Sequence, residues 1–263
     1  MNSPDPIVIP GLQSGQLSVL PTDLLACPAS ASEDLHAVIA SRYDAIRTRI
    51  EVHGEPFDLL LVRDTNVLLE DLRTDLFTRD ERLPYWADLW TSSIDLAGWL
   101  LEEHSVSGKR VLELGAGVGL AGIAAARAGA LVTLTDYETD ALLFARYNAL
   151  TNLPGDLCED RVRFVPMDWR IPVTTGQFDV IIGADIIYER RNFAPILAFL
   201  QAHLVPGGRA LLTDPDRALG QAFLVAAREY PLSIAHSYSS VVRDGKTLRI
   251  TRITLYHDQA PSP

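Results

Sequence analysis

Apolar and polar positions fall into two regimes along this chain. From residue 110 onward, short apolar runs alternate with longer stretches rich in Ala and Leu. Arg110-Val111-Leu112-Glu113-Leu114 predicts a strand over 110–114, and the Ala-rich segment behind it a helix over 119–129. The alternation continues with strand 131–135, helix 138–151, strands 161–166 and 178–184, a helix near 191–204, strand 209–213 and a helix near 216–228. Strands and helices in strict turn imply a parallel sheet covered on both faces. The end breaks the rhythm: Ser233–Arg243 and Thr247–His257 flank Asp244-Gly245-Lys246, which predicts a hairpin by turn chemistry. Five parallel strands plus an edge hairpin give seven strands.

Before residue 110 the pattern is less regular. Residues 1–32 are rich in Pro, Ser and Ala without a sustained period and read as a loosely held leader. Glu33 to Ile50 predicts a helix capped by Ser32, with Leu35, Val38, Ile39, Arg42, Ile46 and Ile50 near helical spacing. Phe57–Val62 and Val67–Glu70, flanking Arg63-Asp64-Thr65-Asn66, predict a hairpin. An aromatic-dense loop, Leu83-Pro84-Tyr85-Trp86-Ala87-Asp88-Leu89-Trp90, precedes a helix from about Ser92 to Glu103. The implied organisation is an N-terminal extension over 1–82, a main domain over 83–258 and a tail over 259–263.

Chemistry concentrates where the first core strand ends. Glu113-Leu114-Gly115-Ala116-Gly117-Val118-Gly119 sits between strand and helix, where glycines allow a sharp turn and close approach of a ligand. Asp136, at the end of the next strand, is placed to accept hydrogen bonds from the two hydroxyls of a ribose. In dinucleotide folds such a turn cradles a pyrophosphate, which an acid at its head would repel. S-adenosyl-L-methionine carries a sulfonium and an ammonium instead, and Glu113 suits that cation. Met167-Asp168-Trp169 follows the third strand, where an acceptor and a stacking face suit an adenine, or where an Asp caps a turn beside an anchoring Trp. Gly183 and Ala184 are small enough for close approach of the cofactor, and Asp185 follows them. An amine acceptor must lose a proton before reacting, since a lysine pKa lies near ~10.4. A carboxylate at Asp185 would orient and bind the amine, yet favour its charged form. Tyr188 walls the channel, and Trp90, with Tyr85 and Trp86, closes over the cofactor, lines a substrate channel or forms a satellite apolar cluster.

Composition narrows the partners. The formal charge is −11, with 34 acids against 23 bases, which opposes a phosphate-backbone partner and suits a basic one. Residues 1–80 hold 13 of the acids and 6 of the bases. No run of about 18 apolar residues predicts a membrane span. Leu24-Leu25-Ala26-Cys27 lacks the basic and apolar regions of a lipoprotein signal. Two cysteines make no disulfide framework, and the histidines show no ligand spacing, so a cytoplasmic protein without a metal is expected.

With Trp90, the glycine motif, Asp136, Asp168-Trp169 and Asp185-Ile186-Ile187-Tyr188 in place, the chain resembles the family 16 protein lysine methyltransferases from about residue 57 to 257. Pro84-Tyr85-Trp86-Ala87 is similar to the branch that methylates the β subunit of electron transfer flavoprotein. The resemblance implies a seven-stranded Rossmann-like α/β methyltransferase fold, mostly parallel, with a C-terminal antiparallel hairpin and an N-terminal helix and β-hairpin extension. It implies S-adenosyl-L-methionine as cofactor, S-adenosyl-L-homocysteine as product, and a lysine-bearing protein as substrate; a monomer is expected. Asp185 and Tyr188 match the motif that contacts the target amine. Trp90, Glu113, Gly115, Gly117, Gly119, Asp136, Tyr137, Asp168, Trp169 and Ala184 are the expected cofactor residues. A small-molecule N-methyltransferase and a non-catalytic, cofactor-binding assembly or chaperone partner remain as alternatives.

Overall fold

The computed structural model describes residues 32–72, 84–103, 105–173 and 176–257. The expected leader, the boundary at 82 and the tail from 259 lie outside them. The chain first forms α1 (Ser32–Arg42), then a hairpin of β1 (Ala45–Val52) and β2 (Glu55–Val62), then α2 (Thr65–Leu72). Two expectations are corrected here. The helix stops at Arg42 instead of running to Ile50, because Ile46, Ile50 and Val52 lie on a β-strand. The hairpin turn falls at His53-Gly54, both at positive φ (51° and 78°), the geometry of a two-residue turn matched to strand twist. Val67–Glu70 is therefore helix rather than the second strand, and Asp64 Oδ1 accepts from the Asn66 N–H at 3.0 Å to cap it.

The remaining elements follow the expected order. They are α3 (Thr91–Glu103), β3 (Arg110–Leu114), α4 (Leu120–Arg127), β4 (Leu131–Asp136), α5 (Thr139–Asn152) and β5 (Val162–Pro166). Then come β6 (Phe178–Ala184), α7 (Phe193–His203), β7 (Leu204–Asp214), α8 (Ala218–Ala227), β8 (Leu232–Arg243) and β9 (Lys246–His257). A short helix, α6 (Gly155–Arg161), is inserted before β5 without an expected counterpart. The seven-stranded sheet has the order β5-β4-β3-β6-β7-β9-β8. β5 to β7 are parallel, and β9 runs antiparallel to both β7 and β8.

Alternation along the strands splits the core into two layers. Val111, Val180 and Ile182 face the side covered by α1, α3, α4 and α5. Leu112, Leu114 and Ile181 face the side covered by α7 and α8. Strand order reverses between β3 and β6, since β4 lies on one side of that pair and β7 on the other. Ligands of such sheets bind at the carboxyl ends beside that reversal.

Candidate active site

A cleft of about 420 Å³ opens at the carboxyl ends of β3, β4, β6 and β7. Its floor is the glycine turn. Gly115 has φ +63°, and a Cβ on it would sit 3.0 Å from Ile186 Cγ2 and 3.4 Å from the Trp169 ring. Gly117 has φ +51°, and its Cβ would lie 3.2 Å from the Trp86 carbonyl oxygen. Both positions thus combine a backbone that disfavours side chains with space that is tight for one. Trp86 is held by ring contacts to Tyr43 (5.7 Å) and Phe144 (5.4 Å), so the residue just past α1 and a residue of α5 fix the wall over this turn.

Asp136 ends β4 at 4% exposure. Its Oδ2 accepts from the Gly117 N–H and its Oδ1 from the Glu138 N–H, both at 2.9 Å. A carboxylate has about four lone-pair sites, so acceptor capacity remains for a vicinal diol. Burial raises its pKa to about 6 against the pull of those N–H groups. Glu113 is more deeply placed than its role as a cation partner required. Period two along β3 puts it with Val111 under α4, at 2% exposure, where Oε2 accepts from the Gly122 N–H at 2.9 Å. Burial pushes its pKa up to about 8, with Asp136 adding to the effect, so it holds a proton at neutral pH.

Asp185 follows β6 in the left-handed region (φ +58°) and is 8% exposed. Its N–H donates to the Thr213 carbonyl at 2.9 Å, so the end of β7 sets its backbone. Oδ2 accepts from Ser92 Oγ of α3 at 3.0 Å, and Oδ1 accepts from Arg217 Nη2. Burial raises its pKa, while Arg217 and Ser92 work in the other direction. Tyr188 packs edge-on against Tyr85 at 5.7 Å, and Tyr85 in turn against Trp90 at 6.2 Å. Trp90 Nε1 donates to the Tyr85 carbonyl at 2.8 Å, which fixes that aromatic wall. Burial comes first in raising the Tyr188 pKa to about 12, so it stays a phenol.

The structure brings Trp90, Glu113, Gly115, Gly117, Asp136, Tyr137, Trp169, Ala184, Asp185 and Tyr188 to the walls of one cleft. Two expected residues lie off those walls. Gly119 packs behind the turn, where its Cβ would come within 2.8 Å of Ala145 Cβ, so it serves the approach of α4 and α5. Asp168 turns toward Arg170, whose main-chain N–H and guanidinium engage its carboxylate at 2.7–2.9 Å. Sequence reasoning missed Ser92, Gly122 and Arg217. A glycine in the first turn of an Ala-rich helix was a usable signal for Gly122, because a Cβ there would stand 2.4 Å from Glu113 Oε2.

The residues fit a nucleoside cofactor on an observation of the cleft itself. A Cβ at Gly115 or Gly117 would crowd the turn, and Asp136 beside it keeps acceptor sites beyond the two main-chain N–H groups it already takes.

The sheet order and this cleft define the seven-stranded methyltransferase class of α/β proteins. Solved structures of the same fold include a methyltransferase from Pyrococcus furiosus, at 21% identity and TM-score 0.52, covering 74% of this chain and 96% of that one. N-methyltransferase NodS from Bradyrhizobium japonicum WM9, solved with S-adenosyl-l-homocysteine, matches at 16% identity and TM-score 0.52 over 73% and 98%. Within the class, residues 85–218 match the lysine methyltransferase family, and the chain belongs to it.

Relatives include a histidine protein methyltransferase 1 homolog of Dictyostelium discoideum, 32% identical over 60% of this chain and 52% of its own length. Protein N-lysine methyltransferase METTL21A of Danio rerio is 38% identical over 50% and 61%, and mouse EEF1A lysine methyltransferase 3 is 34% identical over 52% and 59%. The chain spans between half and about three fifths of the length of these relatives.

Proposed function

We propose that the protein is an S-adenosyl-L-methionine-dependent N-methyltransferase acting on lysine side chains of a protein. The observation that carries this reading is the shared cleft. A glycine turn with a ribose-suited acid stands opposite an anchored carboxylate, Asp185, beside Tyr188. Family membership and the lysine-directed names of two relatives support it.

When bound, S-adenosyl-L-methionine supplies an electrophilic methyl group to an uncharged nitrogen. Gly115 and Gly117 would let main chain approach the methionine portion, and Asp136 would take the ribose hydroxyls. Trp169 and Tyr137 would flank the adenine, and Trp90 closes the aromatic wall. Tyr85 and Tyr188 exclude water from the acceptor end. Asp185 accepts a hydrogen bond from the amine and aims its lone pair. The net charge of −11 supports a basic protein partner over a nucleic acid, and the low cysteine count a cytoplasmic setting. We read the enzyme as a monomer. No helix among the described residues is long and apolar enough to cross a membrane.

The test is transfer of tritium from labelled cofactor into a methylation-depleted lysate, followed by hydrolysis and chromatography of the labelled product. Methyl-lysine in protein is expected, and Asp185→Asn should lower transfer about 100-fold or more with S-adenosyl-L-homocysteine affinity little changed. Label confined to a low-mass compound, or to methylhistidine, would overturn the lysine reading.

A further inference from the structure

The cleft is short of positive charge. Among the described residues lining it, Asp88, Glu113, Asp136, Glu138, Asp185 and Glu189 are acids, and Arg217 is the single cation. Arg217 stands just before α8, three residues past the end of β7. Asp214, the last residue of β7, is fully buried. Its Oδ1 accepts from the Arg217 main-chain N–H at 3.0 Å and its Oδ2 from Arg217 Nη2 at 2.8 Å. The same Nη2 reaches Asp185 Oδ1. One guanidinium therefore bridges two buried carboxylates, one at the end of β7 and one at the acceptor end of the cleft.

We propose that Arg217 is a positioning residue for methyl transfer, bridging Asp214 and Asp185 so that the acceptor amine meets a carboxylate already partnered by a cation. The inference rests on the methyltransferase reading above. A lysine ammonium docking on an unpartnered buried carboxylate forms a charge-assisted pair that retains its proton. The reaction needs the opposite. The proton leaves to solvent, the nitrogen lone pair forms the N–C bond, and the C–S pair stays on sulfur. A guanidinium keeps its charge at every working pH, so it opposes a second cation beside it while holding Asp185 as an acceptor.

The surroundings leave that task to Arg217. From α3, Ser92 donates to Asp185, and Asp95 is engaged by Arg252 and Ser239. After β6, Tyr188 is a phenol and Glu189 pairs with Arg191. Asp216, next to Arg217, pairs with Arg249 and accepts from Thr251 of β9. Tyr85, Asp88, Glu113 and Asp136 on the remaining walls add no cation.

The test combines a readout without turnover and one with it. In protein carrying carboxyl-labelled aspartate, the Asp185 resonance is assigned by its loss in Asp185→Asn and titrated in each variant. Its midpoint should rise in Arg217→Met and stay near the unaltered value in Arg217→Lys. S-adenosyl-L-homocysteine affinity should stay within about threefold. With tritiated cofactor and methylation-depleted lysate protein, the acidic limb of the rate profile should move up by about one pH unit in Arg217→Met and recover in Arg217→Lys. Asp214→Asn leaves the guanidinium to Asp185 alone and should move the limb down, which keeps the idea testable if Arg217→Met does not fold. An unmoved Asp185 resonance and an unmoved limb in a folded variant would overturn the proposal. Absence of transfer by the unaltered enzyme would instead count against the methyltransferase reading, and the Asp185 titration would still decide the bridge.

Discussion

Glu113 shows how one side chain's neighbours reset its chemistry. The motif presents an acid beside the glycine turn, but strand alternation carries that acid under α4, where Gly122 N–H meets it. Its folded pKa of about 8 lies above the ordinary 4.5. A raised folded value means the native state binds more protons, so stability is full below the unfolded pKa and is lost as pH rises through the folded one. Asp136 has the same sign, with its window closing at about 6. Between pH 6 and 8 the slope belongs chiefly to Glu113. Scanning calorimetry of the unliganded protein should show the melting temperature falling across that interval, and Glu113→Gln should flatten it; an equal slope in the variant would contradict the assignment. Most of the residues that line the cleft were legible because strand ends and glycine turns are local patterns. The pairing of Asp168 with Arg170 two residues on was not, and neither was the Gly119 contact, which depends on Ala145 in another helix. Arg217 was illegible for the same reason: its partners sit 3 and 32 residues away, and only folding joins them.

At the scale of elements, the sheet order was written in alternation, whereas the N-terminal hairpin was misplaced for a reason of arithmetic. Ile46 and Ile50 are four apart, a spacing that both a helix and a strand satisfy. The intervening β-branched Thr48 and the His53-Gly54 turn decide for the strand. What holds the hairpin to the main sheet's covering layer is a device no local pattern announces. Asn148 and Asn152 stand one turn apart on α5, and Asp58 and Leu60 stand two apart on β2, nearly matched rises. Asn152 takes the Asp58 N–H (2.9 Å) and donates to its carbonyl (2.7 Å). Asn148 takes the Leu60 N–H (2.6 Å) and donates to the Leu60 (3.2 Å) and Val118 (2.9 Å) carbonyls. Side-chain amides thus stand in for a neighbouring strand along the free edge of β2. Asn148 is fully buried and Asn152 is half-buried, so their losses should differ. Asn148→Ala should cost about 3 kcal/mol and Asn152→Ala about 1 kcal/mol, read from urea unfolding. Equal costs would show that the clamp does not work through buried main-chain partners.

For the molecule as a whole, the family match covers residues 85–218, and the α1–hairpin unit docked on α5 lies before it. That earlier part of the chain is where the charge is most lopsided, with 13 acids against 6 bases in residues 1–80. The cleft continues the same sign, with Asp88, Glu138 and Glu189 on its walls. A field summed over many exposed acids acts at long range on a basic protein and is screened over about 10 Å at 0.1 M salt. The contacts proposed above for the nucleoside would be short and shielded by burial, as Asp136 is. Salt should therefore separate the two binding events. Raising ionic strength from about 25 to 250 mM should increase KM for the protein acceptor about three- to tenfold, with kcat and S-adenosyl-L-homocysteine affinity changing far less. A small amine acceptor carries one charge and gathers little from the distant acids, so its KM would stay nearly flat over the same range. The salt dependence of KM thus discriminates a protein acceptor from a small one through the charge of the whole chain, independently of any residue in the cleft.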